Sequence, residues 1–168
     1  MPVPEFIKSL RSKIGHDLLQ LPTVGVLVRD EEDRVLLVKD ADDGRWTCPG
    51  GLVEPFELPA DAAVREAWEE AGVHIRLTGL VGVFGGEVCV THYANGDNVA
   101  WVSTIFSARI ISGTATHDGD ETTAVRFCTD AELATLHVKP WVLMFLDAER
   151  AGSAGYFQPA RWQPPVSA

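Results

Sequence analysis

The stretch GGLVEPFELPADAAVREAWEEAGV, residues 50–73, decides how the rest of the chain is interpreted. It opens with two glycines and then enters the strongest predicted helix of the chain, at residues 58–71. Pro59 suits the first turn of that helix, and Gly72 is placed to end it. Leu58 stands where a polar capping residue would be expected. The helix carries most of the charge of the segment, and that charge is unusual.

On a helical wheel of about 100° per residue, Glu66, Glu69 and Glu70 gather on one side. Other alanines, a valine and a tryptophan occupy the opposite side, while the small Ala62 lies inside the acidic arc. A solvated acidic face usually alternates with lysine one turn away, whereas here only Arg65 is available. Since Glu66 and Glu70 are like charges one turn apart, we expect a further cation to neutralise them.

A divalent metal ion would meet this need. Mg²⁺ takes oxygen ligands and is typically held by a few carboxylates together with substrate phosphates. The glycine pair lets the main chain approach closely, so that a carbonyl could join the ligands. Glu57 could tie the loop or accept a hydrogen bond from Arg65. The segment therefore predicts a metal site, the alternative being an acidic helix that serves only solubility.

The composition describes an ordinary globular chain. Its 168 residues suffice for one domain with a proper core. A net charge of -10 without any basic run argues against nucleic acid or an anionic membrane as a partner. Three widely separated cysteines predict reduced thiols. Because no signal-peptide pattern and no apolar run of membrane-spanning length is present, we expect a cytoplasmic protein.

The order of the predicted elements indicates a single α/β or α+β domain over residues 1–168. A short amphipathic helix is expected within an N-terminal arm, residues 1–20, lying on the domain or on a partner subunit. Strand-like runs cover residues 23–28, 34–39, 52–53, 73–90, 98–111 and 124–128. Thr129 and Glu132 form a capping box before a helix, a last helix covers residues 140–152, and residues 152–168 are an irregular tail.

With its glycines and charges in this register, the segment resembles the Nudix box, every charged and glycine position being filled. RWTCPGG, residues 45–51, resembles the W-x-x-P-G-G sequence that precedes the box in this family, and residues 119–133 resemble its later Glu, strand and helix. The sequence departs from the pattern at Phe56, Leu58 and Ala67, none of which is a charged position. The resemblance implies the Nudix fold, a mixed β-sheet in an α/β/α sandwich.

The resemblance also implies roles for the residues of the box. Members of the family hydrolyse nucleoside diphosphates linked to another moiety, using Mg²⁺ or Mn²⁺. The metal ligands would be the Gly50 carbonyl and the carboxylates of Glu66, Glu69 and Glu70, with structural support from Gly51, Glu57 and Gly72. Metal ions neutralise the pyrophosphate and activate a water molecule, whose proton a carboxylate accepts. Glu69 is the first candidate for this base and Glu121 the second, while Arg65 orients the glutamates.

The small-molecule nucleotide substrate is less well defined by the sequence. Candidates for phosphate contacts are Arg29, Lys39 and Arg45, and candidates for stacking on a base are Phe84, Tyr93 and Trp101. A nucleotide sugar such as ADP-ribose and a nucleoside triphosphate both remain open.

Two rival functions have the same fold. One is a catalytically silent Nudix-fold module that binds nucleotides or regulates, in which the glutamates are typically eroded. The other is a Nudix-fold isomerase acting on isoprenyl diphosphates, which needs additional catalytic Cys and Glu residues and often has a degraded box; Cys48 is the thiol nearest to the box. A homodimer through the N-terminal helix is a further expectation, since many relatives dimerise and this helix has an apolar stripe.

Overall fold

The computed structural model describes residues 4–93 and 95–152, together with the backbone of residues 156–157. Its helices are α1 (Glu5–Ile14), α2 (Pro59–Ala71), α3 (Asp130–Leu133) and α4 (Pro140–Arg150). Its strands are β1 (Leu19–Arg29), β2 (Val35–Asp40), β3 (Trp46–Thr47), β4 (Val73–Phe84), β5 (Val90–His92), β6 (Asn98–Gly113), β7 (Thr122–Cys128) and β8 (Tyr156–Phe157). A single 3₁₀ turn, Glu87–Cys89, separates β4 from β5.

The strands form one mixed sheet in the order β3-β2-β1-β6-β4-β8, with β7 beside β2 and β5 beside β6. β1 runs parallel to β6 along its whole length, whereas β2 pairs antiparallel with both β3 and β7. β1 and β2 pair only at Arg29 and Val35 and then diverge. The segment that precedes α2 lies along the side of β1 that β2 leaves free, since the amides of Val24 and Val26 donate to it.

Helices cover both faces of the sheet, as the predicted α/β/α sandwich requires. On one face α2 packs its alanines against a core built from β1, β2, β4 and β6. On the other face α4 contributes Val142, Phe145 and Leu146 to a second core, in which the Phe84 and Phe145 rings lie 4.7 Å apart. The fold class predicted from the sequence is confirmed.

A third, smaller cluster holds the N-terminal helix on its own domain. Ile7 of α1 is buried beside Leu21 and Val99, and Leu52 packs at the edge of this cluster. At the other end of α1, Arg11 donates to the Asn98 carbonyl over 3.0 Å. Of the apolar stripe of α1, Ile7 is buried within the chain and Phe6 is partly buried, whereas Leu10 is 37% exposed, so a homodimer through this helix stays a prediction.

Several strands differ in extent from the prediction. β1 extends over Leu19–Arg29 instead of residues 23–28, and β6 starts at the predicted residue but continues to Gly113, because the two strands are held by pairing with each other. The run over residues 73–90 is broken after Phe84, where Gly86 adopts a positive φ of 86°. The capping box of Thr129 and Glu132 is confirmed.

The C-terminal segment, predicted to be an irregular tail, contains a short strand. Tyr156–Phe157 forms a short strand parallel to Gly82 and Val83 of β4. The rest of the predicted tail lies outside the described residues. Within the described part of the chain, no helix is long and apolar enough to cross a membrane.

Candidate metal and catalytic site

The acidic side chains of the site are positioned by α2. Its buried face consists of small residues, each without exposed surface: Ala62, Ala63, Ala67 and Ala71. These side chains let the helix backbone lie close to the sheet. Gly72 ends the helix in a left-handed conformation with φ 65° and donates to the Trp68 carbonyl over 3.0 Å. The glutamates therefore project from a rigid element beside the loop that precedes it.

That loop is fixed to β1 by main-chain hydrogen bonds. The Val24 amide donates to the Gly51 carbonyl and the Val26 amide to the Pro49 carbonyl, both over 2.9 Å. A Cβ atom at Gly50 would run into the Val24 carbonyl oxygen, and one at Gly51 would lie 2.5 Å from Glu66 Oε1. Both glycines are thus required by close approach, as the sequence predicted.

Arg65 binds the surrounding acceptors with its whole guanidinium group. It donates to both oxygens of Glu57 over 2.9 and 3.0 Å, to Glu66 over 2.8 Å and to Glu69 over 2.9 Å. A further bond of 3.0 Å reaches the Leu52 carbonyl. The hydrogen bonds that Arg65 donates to Glu57, together with the nearby carboxylates of Glu66 and Glu69, raise the pKa of Arg65 above its ordinary value, so this group stays charged. Arg65 is thus bonded to Glu66 and Glu69 and is itself held by Glu57, and its role in orienting the glutamates for catalysis stays a prediction.

Glu66 and Glu70 are buried carboxylates that face the same region. Only 2% of Glu66 and 8% of Glu70 are exposed. Burial, reinforced by the negative charge of Glu66, raises the pKa of Glu70 to about 8, while a hydrogen bond of 3.1 Å from the Gly50 amide opposes that shift. Burial also raises the pKa of Glu66, against the influence of Arg65. Among the described residues none forms an ion pair with Glu70, so one carboxylate of this pair lacks a cation.

Glu69 faces a small acidic cleft. Its side chain is 41% exposed, and with Asp118, Asp120 and Glu121 it lines a volume of about 280 Å³. The loop that carries Glu121 is tied to α2, since Thr122 Oγ1 donates to the Glu70 carbonyl over 2.9 Å. The structure therefore brings both predicted base candidates, Glu69 and Glu121, to one cleft.

The donor set of this site suits a hard divalent cation. It offers carboxylate oxygens, two of them buried and mutually repelling, and a main chain that approaches through glycines. Within the described residues the acidic side chains do not converge as a finished metal cage, because Arg65 holds Glu66 and Glu69. Glu66, Glu69 and Glu70 are the residues that could hold a metal ion, and binding would redistribute their bonds to Arg65.

The residues proposed for substrate contacts occupy different places. Arg29 is the last residue of β1 and pairs with Val35, the first residue of β2, whereas Asp40 is at the other end of β2. Arg29 donates to Glu149 over 2.7 Å, and only 14% of its side chain is exposed. The structure does not bring Arg29 to the acidic cleft. Lys39 lies on β2 opposite Trp46, and Arg45 is bound to Asp43 over 2.7 Å.

The three stacking candidates also separate. Phe84 is 1% exposed and belongs to the core, which removes it from any surface that could stack on a base. Trp101 is partly buried, with Nε1 donating to Thr91 over 2.9 Å. Tyr93 is 38% exposed, and burial together with Asp42 and Asp40 raises its pKa to about 12. Tyr93 is the stacking candidate that keeps the most accessible ring.

Two features near the site were not found from the sequence. Lys139 forms an ion pair with Asp40, whose own backbone pairs with Thr122 at the beginning of β7. Thr122 is buried and bridges the Glu121 loop to α2. Lys139 and Asp40 are 99 positions apart, and nothing in either local sequence indicates their pairing.

Comparisons with known proteins agree with this geometry. The family model of the NUDIX domain matches residues 19–145. A "MutT-like protein" of Streptomyces ambofaciens is 30% identical over 131 residues, which cover 78% of this chain and 77% of that protein. A "Putative 8-oxo-dGTP diphosphatase" of Bacillus subtilis is 32% identical over 108 residues, covering 64% and 66% of the two chains. A NUDIX hydrolase structure from Nitrosomonas europaea superimposes with a TM-score of 0.67 at 21% identity, over 88% of this chain and all of the other.

The chain belongs to the Nudix hydrolase family. The resemblance read from the box is confirmed, as is the prediction of an enzyme of the pyrophosphohydrolase class.

Proposed function

We propose that this protein hydrolyses a pyrophosphate linkage in a nucleoside diphosphate derivative, with Mg²⁺ or Mn²⁺ as its metal. The observation that carries the proposal is the pair of buried, mutually repelling carboxylates Glu66 and Glu70 beside the exposed Glu69. When both are ionised such a pair needs a compensating cation, and of the three glutamates of the helix Arg65 pairs with Glu66 and Glu69, while Glu70 has no ion pair among the described residues. A silent binding module would have no need to keep all three glutamates.

The metal, when bound by Glu66, Glu69 and Glu70, would neutralise the pyrophosphate and lower the pKa of a water molecule. Glu69 is exposed to the cleft and would accept the proton of that water, with Glu121, which lines the same cleft, as the second candidate. Arg65 would keep Glu66 and Glu69 oriented, and the Gly50 amide would hold Glu70. The Gly50 carbonyl stays a proposed ligand.

The substrate we propose is a nucleotide, either a nucleotide sugar such as ADP-ribose or a nucleoside triphosphate. The relative in Bacillus subtilis supports the second class by its name. Tyr93 is accessible enough to contact a base, and Lys39 and Arg45 stay proposed phosphate contacts. The acidic cleft would repel a free polyphosphate, so we expect the substrate to bind together with metal. The three free, buried cysteines are consistent with a reducing cytoplasm.

A hydrolysis screen tests this proposal. ADP-ribose, other nucleotide sugars, dinucleoside polyphosphates and nucleoside triphosphates would be incubated with Mg²⁺ or Mn²⁺, with chelator as the blank, and the products separated by chromatography. AMP with a sugar phosphate identifies a nucleotide-sugar pyrophosphatase, whereas a nucleoside monophosphate with pyrophosphate identifies a triphosphatase. No turnover of any substrate, with metal binding retained, would refute the proposal in favour of a binding module.

Glu69→Gln is the variant that tests the base. We expect turnover to fall by about 10²–10⁴-fold with little change in thermal unfolding, since the side chain is partly exposed. Asp61→Asn is the matched control, an exposed acidic residue in the first turn of the same helix. Full activity of Glu69→Gln would remove Glu69 as the base and leave Glu121 as the candidate.

A further inference from the structure

We propose that Lys139 is a positioning residue, which holds Glu121 in place through the turn formed by residues 40–45. This segment is called the 40–45 turn. This inference rests on the proposed hydrolase function. It assigns a role to a cation on the opposite side of β2 from the Nudix helix, in a region that carries none of the residues of the box.

Lys139 is a buried cation with three partners. Only 12% of its side chain is exposed. Its ammonium group forms an ion pair with Asp40, lies 3.6 Å from Asp43 Oδ2 and lies 5.3 Å from the centre of the Trp141 ring. Its own amide donates to the Trp46 carbonyl over 2.9 Å. Lys139 thus fixes the 40–45 turn to the beginning of α4.

The two aspartates that Lys139 binds also shape the turn. Asp40 Oδ1 accepts from the Asp42 amide over 2.7 Å, and the Asp40 carbonyl accepts from the Gly44 amide over 3.0 Å. The Asp43 carboxylate accepts hydrogen bonds from the main-chain amide and from the side-chain nitrogens of Arg45. Because the same carboxylates serve the turn and Lys139, movement of the ammonium group would move the turn.

The turn is connected directly to Glu121. The Ala41 amide donates to the Glu121 carbonyl over 2.9 Å, just beyond the bulge at which Asp40 pairs with Thr122. Other bonds also hold the Glu121 loop, among them one from Thr122 Oγ1 to the Glu70 carbonyl and one within the loop from the Thr122 amide to Asp118, each 2.9 Å long. The bond from Ala41 is the one that belongs to the 40–45 turn, and it is the bond that we expect to depend on Lys139.

This arrangement separates positioning from metal binding. The negative charge of Asp40 acts on Glu70, so without the Lys139 charge to offset Asp40 the potential near Glu70 would be more negative, which attracts a metal ion. The same change would release the Ala41 bond and let Glu121 move away from the cleft. We therefore expect turnover to fall while metal affinity is kept or increased. General damage to the fold would lower both.

The test compares Lys139→Met, which removes the charge, with Lys139→Arg, which keeps it. Lys8→Met is the control, because Lys8 is 53% exposed and, among the described residues, its ion pair is with Glu5 on its own helix. Three quantities are measured: hydrogen exchange of the Ala41 amide in metal-free protein, the Mn²⁺ dissociation constant, and kcat with KM for a substrate found in the screen. Thermal unfolding shows that each variant is folded.

For Lys139→Met we expect exchange at Ala41 at least about tenfold faster and kcat about 10–100-fold lower, because a displacement of about 1 Å can cost that much. The Mn²⁺ dissociation constant should be unchanged or smaller, and Lys139→Arg should restore most of kcat. Unchanged exchange at Ala41, or losses of kcat and metal affinity in equal proportion, would overturn the inference. A wild-type protein without turnover would refute the proposed hydrolase function instead, while Ala41 exchange would still decide whether Lys139 holds the turn.

Discussion

Gly51→Ala changes the metal site through a single methyl group. The added Cβ would lie 2.5 Å from Oε1, 2.7 Å from Cδ and 2.9 Å from Oε2 of Glu66. Ordinary contact begins at 3.4 Å, so the carboxylate must move by about 1 Å. Gly51 has no positive φ, so the backbone itself accepts alanine. The perturbation is therefore confined to the position of one buried carboxylate.

The cost follows from where that carboxylate lies. Glu66 is 2% exposed and accepts from Arg65 over 2.8 Å, so its displacement disturbs the orientation of Arg65 as well. Overpacking of a buried site typically costs about 1–3 kcal/mol of unfolding free energy. A misplacement of about 1 Å in a catalytic group lowers turnover by about 10²-fold. We expect weaker Mn²⁺ binding and a kcat reduced to that extent.

The assay is a Mn²⁺ titration together with kcat at saturating metal, and thermal unfolding as the measure of folding. Gly85→Ala is the control, since its Cβ would lie 3.7 Å from the nearest atom, the Trp101 carbonyl oxygen. Gly50→Ala should be far more damaging, because its Cβ would meet the β1 backbone at Val24. If Gly51→Ala bound Mn²⁺ and turned over substrate within about twofold of wild type, the assignment of Glu66 to the site would be refuted.

Two further predictions concern pH and the Arg29 ion pair. In metal-free protein the pKa of Glu70 is raised to about 8 from 4.5, so the unfolded chain releases this proton at lower pH and stability should fall between about pH 5 and pH 8. Glu70→Gln should make the melting temperature depend less on pH over this range. Mg²⁺ should stabilise the protein more at pH 8 than at pH 6, because it binds the ionised form of Glu70. A melting temperature that rises between pH 5 and pH 8 would contradict the pKa shift. Arg29→Met should lower the unfolding free energy by about 1–3 kcal/mol, because it leaves Glu149 without its partner in a site where 14% and 18% of the two side chains are exposed. Its KM should stay unchanged, and a raised KM would return Arg29 to the substrate site.

The sequence predicted the chemistry of the site better than its surroundings. Arg65, Glu66, Glu69 and Glu70 are close in sequence on a helix, so helical geometry alone places them together. Their burial and their bonds to Glu57 and Gly50 then follow from one short loop. Local periodicity is sufficient for such a site.

Contacts between distant segments could not be obtained in this way. Arg29 and Glu149 are 120 positions apart, and their pairing depends on how α4 lies against β1. Phe84 has an aromatic ring that could stack on a base, yet its packing against Phe145 of α4 shows that it is in the core. The extra length of β1 likewise depends on its partner β6 rather than on its own residues.

In α2, folding stability and the chemistry of the site depend on different residues. The alanines hold the helix against the sheet, whereas the glutamates add repulsion and burial of charge. Sequence drift at the acidic face would thus erase catalysis at little cost to folding, and in the case of Glu70 with some relief. Substitution of the alanines by larger residues would move the helix away from the sheet and disturb both folding and catalysis. A descendant of this chain could lose its chemistry long before it lost its shape, which is one physical route by which an enzyme becomes a binding protein.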